Sequence, residues 1–197
     1  MAALVRALSP AEARERLTEI AALRIKVFRE FPYIYDGSTD YEVKYLRRYF
    51  EAPNARFVAA FSKNTELVGV ATCLPLQEED DFVKKPFTEA GFDLSEIFYF
   101  GESVLLSEYR GQGLGHRFFD HRESLAREFS TTKYTVFCAV QRAEDHPLRP
   151  HNYRPHDEFW AKRGYRKNPE LKSRFEWKDL DQAQETTKEM VYWMRKI

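Results

Sequence analysis

Two rhythms of apolar and polar residues run along this chain. Residues 2–8 (AALVRAL) form an apolar run broken once, by Arg6, and predict a short first strand. Ser9-Pro10-Ala11-Glu12 reads as a helix start, with Ser9 as N-cap, Pro10 in the first turn and Glu12 as capping-box partner. Leu17, Ile20, Ala21, Ile25 and Phe28 then recur at helical spacing, so one helix reaching about Arg29 is expected to bury a face. Residues 33–40 (YIYDGSTD) make a turn-rich loop, and residues 41–50 a second, shorter helix. Residues 56–61 and 67–74 are β-rich runs joined by 62–66, the pattern of a hairpin. The charged run 77–81 (QEEDD) reads as solvated surface able to attract a cation, with a helix over 80–90 ending at Gly91. Residues 97–106 predict a strand in which Gly101 marks a bulge or a close backbone approach. A helix follows over 113–129, with Leu114, Phe118, His121, Leu125 and Phe129 on one stripe. Residues 134–140 (YTVFCAV) are continuously apolar, as in a strand buried on both faces. A polar loop over 141–154, a helix over 157–163 closed by Gly164, and strands over 175–178 and 190–195 complete the chain.

Hairpins mixed with helical crossovers predict an α/β (mixed α+β) single domain over residues 1–197, with helices on both faces of a mixed sheet. Composition narrows what that domain does. Its 15% aromatic content supplies the burial that a disordered chain lacks. With 31 basic against 31 acidic side chains, it lacks the positive excess of a nucleic-acid binder, so no nucleic-acid partner is expected. No apolar run approaches the roughly 20 residues that span a bilayer, and Arg6 interrupts any secretory core, so no membrane partner is expected. Cys73 and Cys138 sit in strand-like apolar runs and read as reduced core residues, which fits a cytoplasmic location.

The chemistry concentrates in Leu105-Leu106-Ser107-Glu108-Tyr109-Arg110-Gly111-Gln112-Gly113-Leu114-Gly115, which leaves a strand and opens a helix. Three glycines let the backbone approach a ligand and turn its N–H groups toward it, and the helix dipole adds positive potential there. Such a turn suits a pyrophosphate. A P-loop fails, because no Lys-Ser or Lys-Thr follows the glycines, and the dinucleotide fingerprint fails in spacing.

Arg110-x-x-Gly113-x-Gly115 after a strand resembles the acyl-CoA-binding motif of the GNAT superfamily of N-acyltransferases, and Phe159-Trp160-Ala161-Lys162-Arg163-Gly164-Tyr165 is similar to that family's later F-Y-x-x-x-G-F segment. The element order matches over about residues 2–196. The resemblance implies a single GNAT-like domain whose mostly antiparallel sheet splays between its fourth and fifth strands. It implies acetyl-CoA as cosubstrate, with no metal and no covalent intermediate. The amides of Gly111, Gln112, Gly113, Leu114, Gly115 and His116 would hold the pyrophosphate, with Arg110 and Arg117 adding charge. The backbone of Val104, Leu105 and Leu106 would pair with the pantetheine arm like an added strand, and an amide near Leu105 would stabilise the thioester oxyanion. Asn152 lies one residue from the place of a pantetheine-binding Asn.

A lysine-like amine, with a pKa near 10, arrives protonated and needs a base. Glu102, a carboxylate within an apolar strand, is the candidate catalytic residue; its structural alternative is an ion pair with an arginine that holds the sheet. The family's usual acid is the Tyr of the F-Y segment, here Trp160, which has no hydroxyl. Tyr153, Tyr165 or water would then serve the departing thiolate. The loop 142–156 carries His146, His151 and His156 among three arginines and reads as solvated rather than metal-binding, or as a lid over an anion. In this family the loop between the first two helices lines the acceptor pocket, so Tyr33 and Tyr35 are the candidate substrate-binding residues. The expectation is an N-acetyltransferase acting on a small-molecule or peptide amine by direct attack in a ternary complex, with a homodimer possible through the last strands. The alternative is a catalytically impaired CoA-binding sensor or a scaffold of the same fold.

Overall fold

The computed structural model describes residues 3–197; the expected strand start at Ala2 lies outside them. β1 (Leu4–Leu8) leads into α1 (Pro10–Glu15), whose capping box is complete: the Glu12 N–H donates to Ser9 Oγ at 3.2 Å and the Ser9 N–H to Glu12 Oε2 at 2.9 Å. The single helix expected next is two. α1 ends at Arg16 (φ −97°, ψ 12°) and α2 (Leu17–Phe28) follows. No glycine or proline marks this break; Arg16 is held by tertiary contacts, its guanidinium 5.1 Å from the Phe61 ring and 2.8 Å from Glu19.

α3 (Thr39–Glu51) is capped by Ser38. The hairpin β2 (Arg56–Phe61) and β3 (Leu67–Pro75) follows, then α4 (Asp81–Glu89) and β4 (Ile97–Leu105). α5 (Leu114–Arg127), β5 (Tyr134–Val140) and α6 (Asp157–Lys162) precede the last pair, β6 (Arg166–Trp177) and β7 (Thr186–Lys196). These last strands are much longer than the runs at 175–178 and 190–195 predict. β6 is an edge strand that buries only Leu171, Ser173 and Trp177 and shifts register between Asn168 and Lys172, so charged residues mask its pattern.

The seven strands order as β1-β2-β3-β4-β5-β7-β6, antiparallel except for β4 against β5. α2, α3 and α4 pack their core on one face, with Ile20, Leu46 and Phe87 fully buried. α5 covers the other with Leu114, Phe118, Phe119 and Ala126; His121 and Leu125 of the expected stripe are half-buried. The acidic run is not all surface: Glu79 is buried, donated to by Arg48 at 3.2 Å and by the Tyr49 hydroxyl at 3.2 Å. Both cysteines are free and buried.

Candidate active site

β4 and β5 pair only through Ile97–Tyr134, Phe98–Thr135 and Tyr99–Val136. Beyond Tyr99 the parallel strands part, and a cavity of about 600 Å³ occupies the gap. It runs from the glycine turn, past residues 99–105 and 137–141, to the tyrosines of the 31–35 loop and α3.

The glycine end is built by backbone conformation. Gly111 (φ +73°) and Gly113 (φ +79°) take left-handed turns, and Gly113 is the N-cap of α5 with no side chain capping it. The first-turn N–H groups of Leu114, Gly115 and His116 have no acceptor one turn earlier in a helix, and Gly111, Gly113, Gly115 and His116 all line the cavity. Leu114 itself is buried in the core. The two arginines expected to add charge are engaged by the protein. Arg110 lines the cavity but is 2.6 Å from Glu30 and donates to the Leu105 carbonyl at 3.0 Å. Arg117 donates to the Ala3 carbonyl at 2.7 Å and does not line the cavity. The Gln112 side chain turns back to the Glu108 carbonyl.

Along β4 the register divides the three expected pantetheine residues. The Leu106 N–H is donated to the Val68 carbonyl at 3.0 Å, and Val104 opposes Val70 in the same phase, so both direct their main-chain groups at β3. Leu105, out of phase with them, directs its groups to the open side.

Glu102 owes its position to a bulge. Ala71 pairs with Ser103 and Cys73 with Phe100, so Thr72 faces both Gly101 and Glu102. Phe98 and Phe100 point to the α5 side, whereas Gly101 faces Tyr49 of α3 and Glu102 reaches Arg24 of α2. Without the bulge, Glu102 would share the α5 face with Phe100. Its carboxylate lies 2.7 Å from Arg24 Nη1, yet among the described residues neither buried oxygen has a well-aligned hydrogen-bond donor. Arg24 is also bonded through Nε to Glu42. Burial alone would pull the Arg24 guanidinium down, but Glu102, Tyr45 and Glu42 outweigh it and hold it well above its ordinary value. This triad thus carries one cation and two carboxylates in the cavity wall.

Tyr33 and Tyr35 line the far end with Tyr41 and Tyr45. The Tyr35 ring lies on Gly37, where a Cβ would sit 2.2 Å from it. Burial, then neighbouring charge, pushes the Tyr33 and Tyr35 hydroxyls up and Tyr45 to about 12, so these are neutral walls at pH 7. Trp160 also lines the cavity, packed at 5.0 Å on Phe137 and 5.2 Å on Trp193. Tyr165 is a core residue, its hydroxyl bonded to Thr135 at 2.9 Å and to Glu123 at 3.3 Å, and is absent from the cavity wall. Tyr153 lines the cavity, edge-on to Phe31 at 4.7 Å. Asn152 is exposed and does not reach the cavity. Within the same loop His156 lines the wall at an exposed position. Among the described residues no group of three His, Cys, Asp or Glu is placed to hold a metal.

Arg24, Glu42 and Arg142 escape sequence reasoning. Arg24 stands at i+4 from Ile20 and i−4 from Phe28, a charge on the apolar stripe of α2, and that is the signal that could have found it. Arg142 gives no such sign. It leaves the expected solvated loop to grip both oxygens of buried Asp179 at 2.8 Å and to donate to the Pro32 and Tyr33 carbonyls.

A family model described as the acetyltransferase (GNAT) family matches residues 20–150. No curated protein matches the sequence. Among solved structures, a ribosomal-protein-alanine N-acetyltransferase from Brucella melitensis superposes with a TM-score of 0.60 at 12% identity, covering 98% of this chain and 99% of its own. Arabidopsis thaliana NAA60 in complex with a bisubstrate analogue gives 0.60 at 13% identity, over 99% and 98%. A Salmonella typhimurium structure with its cofactor acetyl-CoA gives 0.58 at 11% identity, over 100% and 94%. At these identities the likeness is one of fold.

Proposed function

Because the chain belongs to the GNAT acetyltransferase family, we propose that it transfers an acetyl group from acetyl-CoA to a primary amine by direct attack in a ternary complex. One observation carries this reading: a single cavity joins a glycine-built helix start at one end to a buried carboxylate, Glu102, beyond the strand gap. The left-handed glycines and the unbonded first-turn amides fit a diphosphate, and the parted strands give a slot for an extended arm.

Bound there, acetyl-CoA supplies a thioester as the acyl donor. The amides of residues 111–116 would hold the diphosphate. Arg110 and Arg117 are both engaged by the protein, Arg110 by Glu30 and the Leu105 carbonyl and Arg117 by the Ala3 carbonyl, and so contribute little free charge. The Leu105 N–H on the open side of β4 would be the donor to the thioester carbonyl and would stabilise negative charge developing there. Glu102 accepts the proton of the incoming ammonium, directly or through one water, while Arg24 fixes its orientation. Tyr33 and Tyr35 bound the acceptor. Tyr153, the phenol on the wall whose hydroxyl burial holds protonated, is the candidate donor to the departing thiolate. Trp160 favours a second reading, CoA binding without turnover, because it leaves the family's usual acid position without a hydroxyl.

Thiol release from acetyl-CoA, measured over an amine panel for the wild type and Glu102→Gln, tests both readings. The first expects turnover of at least one amine, a kcat loss of roughly 10²- to 10⁴-fold in the variant, and equal thermal stabilisation by CoA in both proteins. Stabilisation without turnover favours the second. No stabilisation by CoA overturns both.

A further inference from the structure

The acceptor end has a charge pattern that restricts which amines fit, and this inference rests on the transferase reading above. On the α2–α3 side of β4, the one arginine among the described cavity-lining residues is Arg24, and it is committed to Glu42 and Glu102. Arg110 sits at the glycine end, paired to Glu30. Arg122 lies on the α5 side, between the Phe100 and Phe119 rings at 4.4 and 4.8 Å, and donates to the Phe118 and Glu102 carbonyls. Arg142 and Lys188, behind the tyrosine wall, are turned to Asp179 and do not line the cavity.

Glu42 is 1% exposed and Glu102 7%, and among the described residues neither Glu102 oxygen has a well-aligned hydrogen-bond donor. The triad therefore sets two carboxyl groups against one guanidinium in a desolvated site, with bonding capacity left over at Glu102. A buried, under-bonded carboxylate is expensive unless something binds it. The rings of Tyr33, Tyr35 and Tyr41 add aromatic surface that favours a cation, and Tyr41, 48% exposed, marks the mouth.

We propose that the acceptor is a cationic amine with no carboxylate beside its nitrogen, carried on an apolar or aromatic body, and that Glu42 is a specificity-determining residue. An ammonium brought against Glu102 supplies the missing donors. A carboxylate on the same carbon would meet Glu42 and Glu102 with no free cation to receive it, and like charges repel strongly in a desolvated site.

The test compares amines that differ only in that carboxylate: tyramine against tyrosine, phenethylamine against phenylalanine, tryptamine against tryptophan. Wild-type kcat/KM is expected to favour the decarboxylated member by at least ~100-fold. Calorimetric titration of the same pairs into the protein saturated with CoA gives a readout without turnover, and only the decarboxylated members are expected to bind. Glu42→Gln removes one of the two charges and releases Arg24 from it, so the preference should narrow about 10-fold through KM rather than kcat. Equal or better use of the amino acids overturns the proposal while leaving the transferase reading intact. Absence of turnover together with absence of CoA stabilisation overturns that reading as well. The wild-type comparison decides the matter even if Glu42→Gln does not fold.

Discussion

Glu102 is readable as a residue and unreadable as a position. A carboxylate inside IFYFGESVLL is conspicuous by type, but strand alternation puts it on the same side as Phe98 and Phe100. The bulge opposite Thr72 reverses that phase, and one glycine makes it possible. A Cβ on Gly101 would lie 2.4 Å from Tyr49 Oη and 2.5 Å from Thr72 Oγ1. The Thr72 hydroxyl also accepts the Glu102 N–H at 3.2 Å, so one of the crowded atoms holds the bulge. Gly101→Ala is therefore expected to lower stability by about 1–3 kcal/mol, the usual range for overpacking. It should also displace Glu102, so kcat falls while CoA binding is unchanged. Denaturant unfolding and CoA titration check the two parts. An unchanged unfolding midpoint with unchanged kcat would show that the bulge does not position the carboxylate.

At the scale of elements, local signals succeed where the chain's own neighbours supply the stabilisation. The Ser9–Glu12 capping box was legible because both partners lie within one turn, and the glycine turn before α5 because left-handed backbone needs glycine. The split at Arg16 and the length of β6 were not legible. Both depend on partners far along the chain: Phe61 under Arg16, and β7 beside a strand with few buried positions. The capping box yields a signed prediction. Hydrogen bonds from Arg6 and then Ser9 lower the Glu12 carboxyl from 4.5 to about 2. A carboxylate with a depressed folded pKa contributes stability that is present above its unfolded pKa and lost as pH falls through the folded one. Glu12→Gln should therefore lower Tm at pH 6, and the gap to wild type should close between about pH 4.5 and 2. Thermal melts across that window check it, and a gap independent of pH would remove the ionised cap from the account.

The whole molecule closes the acceptor end by long-range ties that no local pattern announces. Three segments meet at Asp179. The loop after α2 runs beside it, with the Asp36 N–H donating to the Lys178 carbonyl at 2.9 Å and the Leu180 N–H to the Ile34 carbonyl at 2.8 Å. The loop after β5 sends Arg142 to both Asp179 oxygens and to the Pro32 and Tyr33 carbonyls. β6 ends there in Trp177, whose indole N–H donates to the Tyr33 carbonyl at 3.1 Å. The Tyr33 wall is thus fixed in part by Arg142 and Asp179, which do not line the cavity, whereas the glycine turn is shaped by its own left-handed backbone. Arg142→Lys keeps the charge but loses the planar fork that serves four acceptors at once. It should raise the amine KM about 10-fold while leaving the KM for acetyl-CoA unchanged. Asp179→Ala strands Arg142 and Lys188 beside an emptied, buried position, and removing one partner of a buried pair costs about 3–5 kcal/mol, so its Tm should fall well below that of Arg142→Lys. Equal rises in both KM values would place the effect of Arg142 on the strand gap as a whole. A split confined to the amine would establish that the two ends of the cavity are held by separate parts of the fold, one by backbone conformation and the other by a buried ion pair.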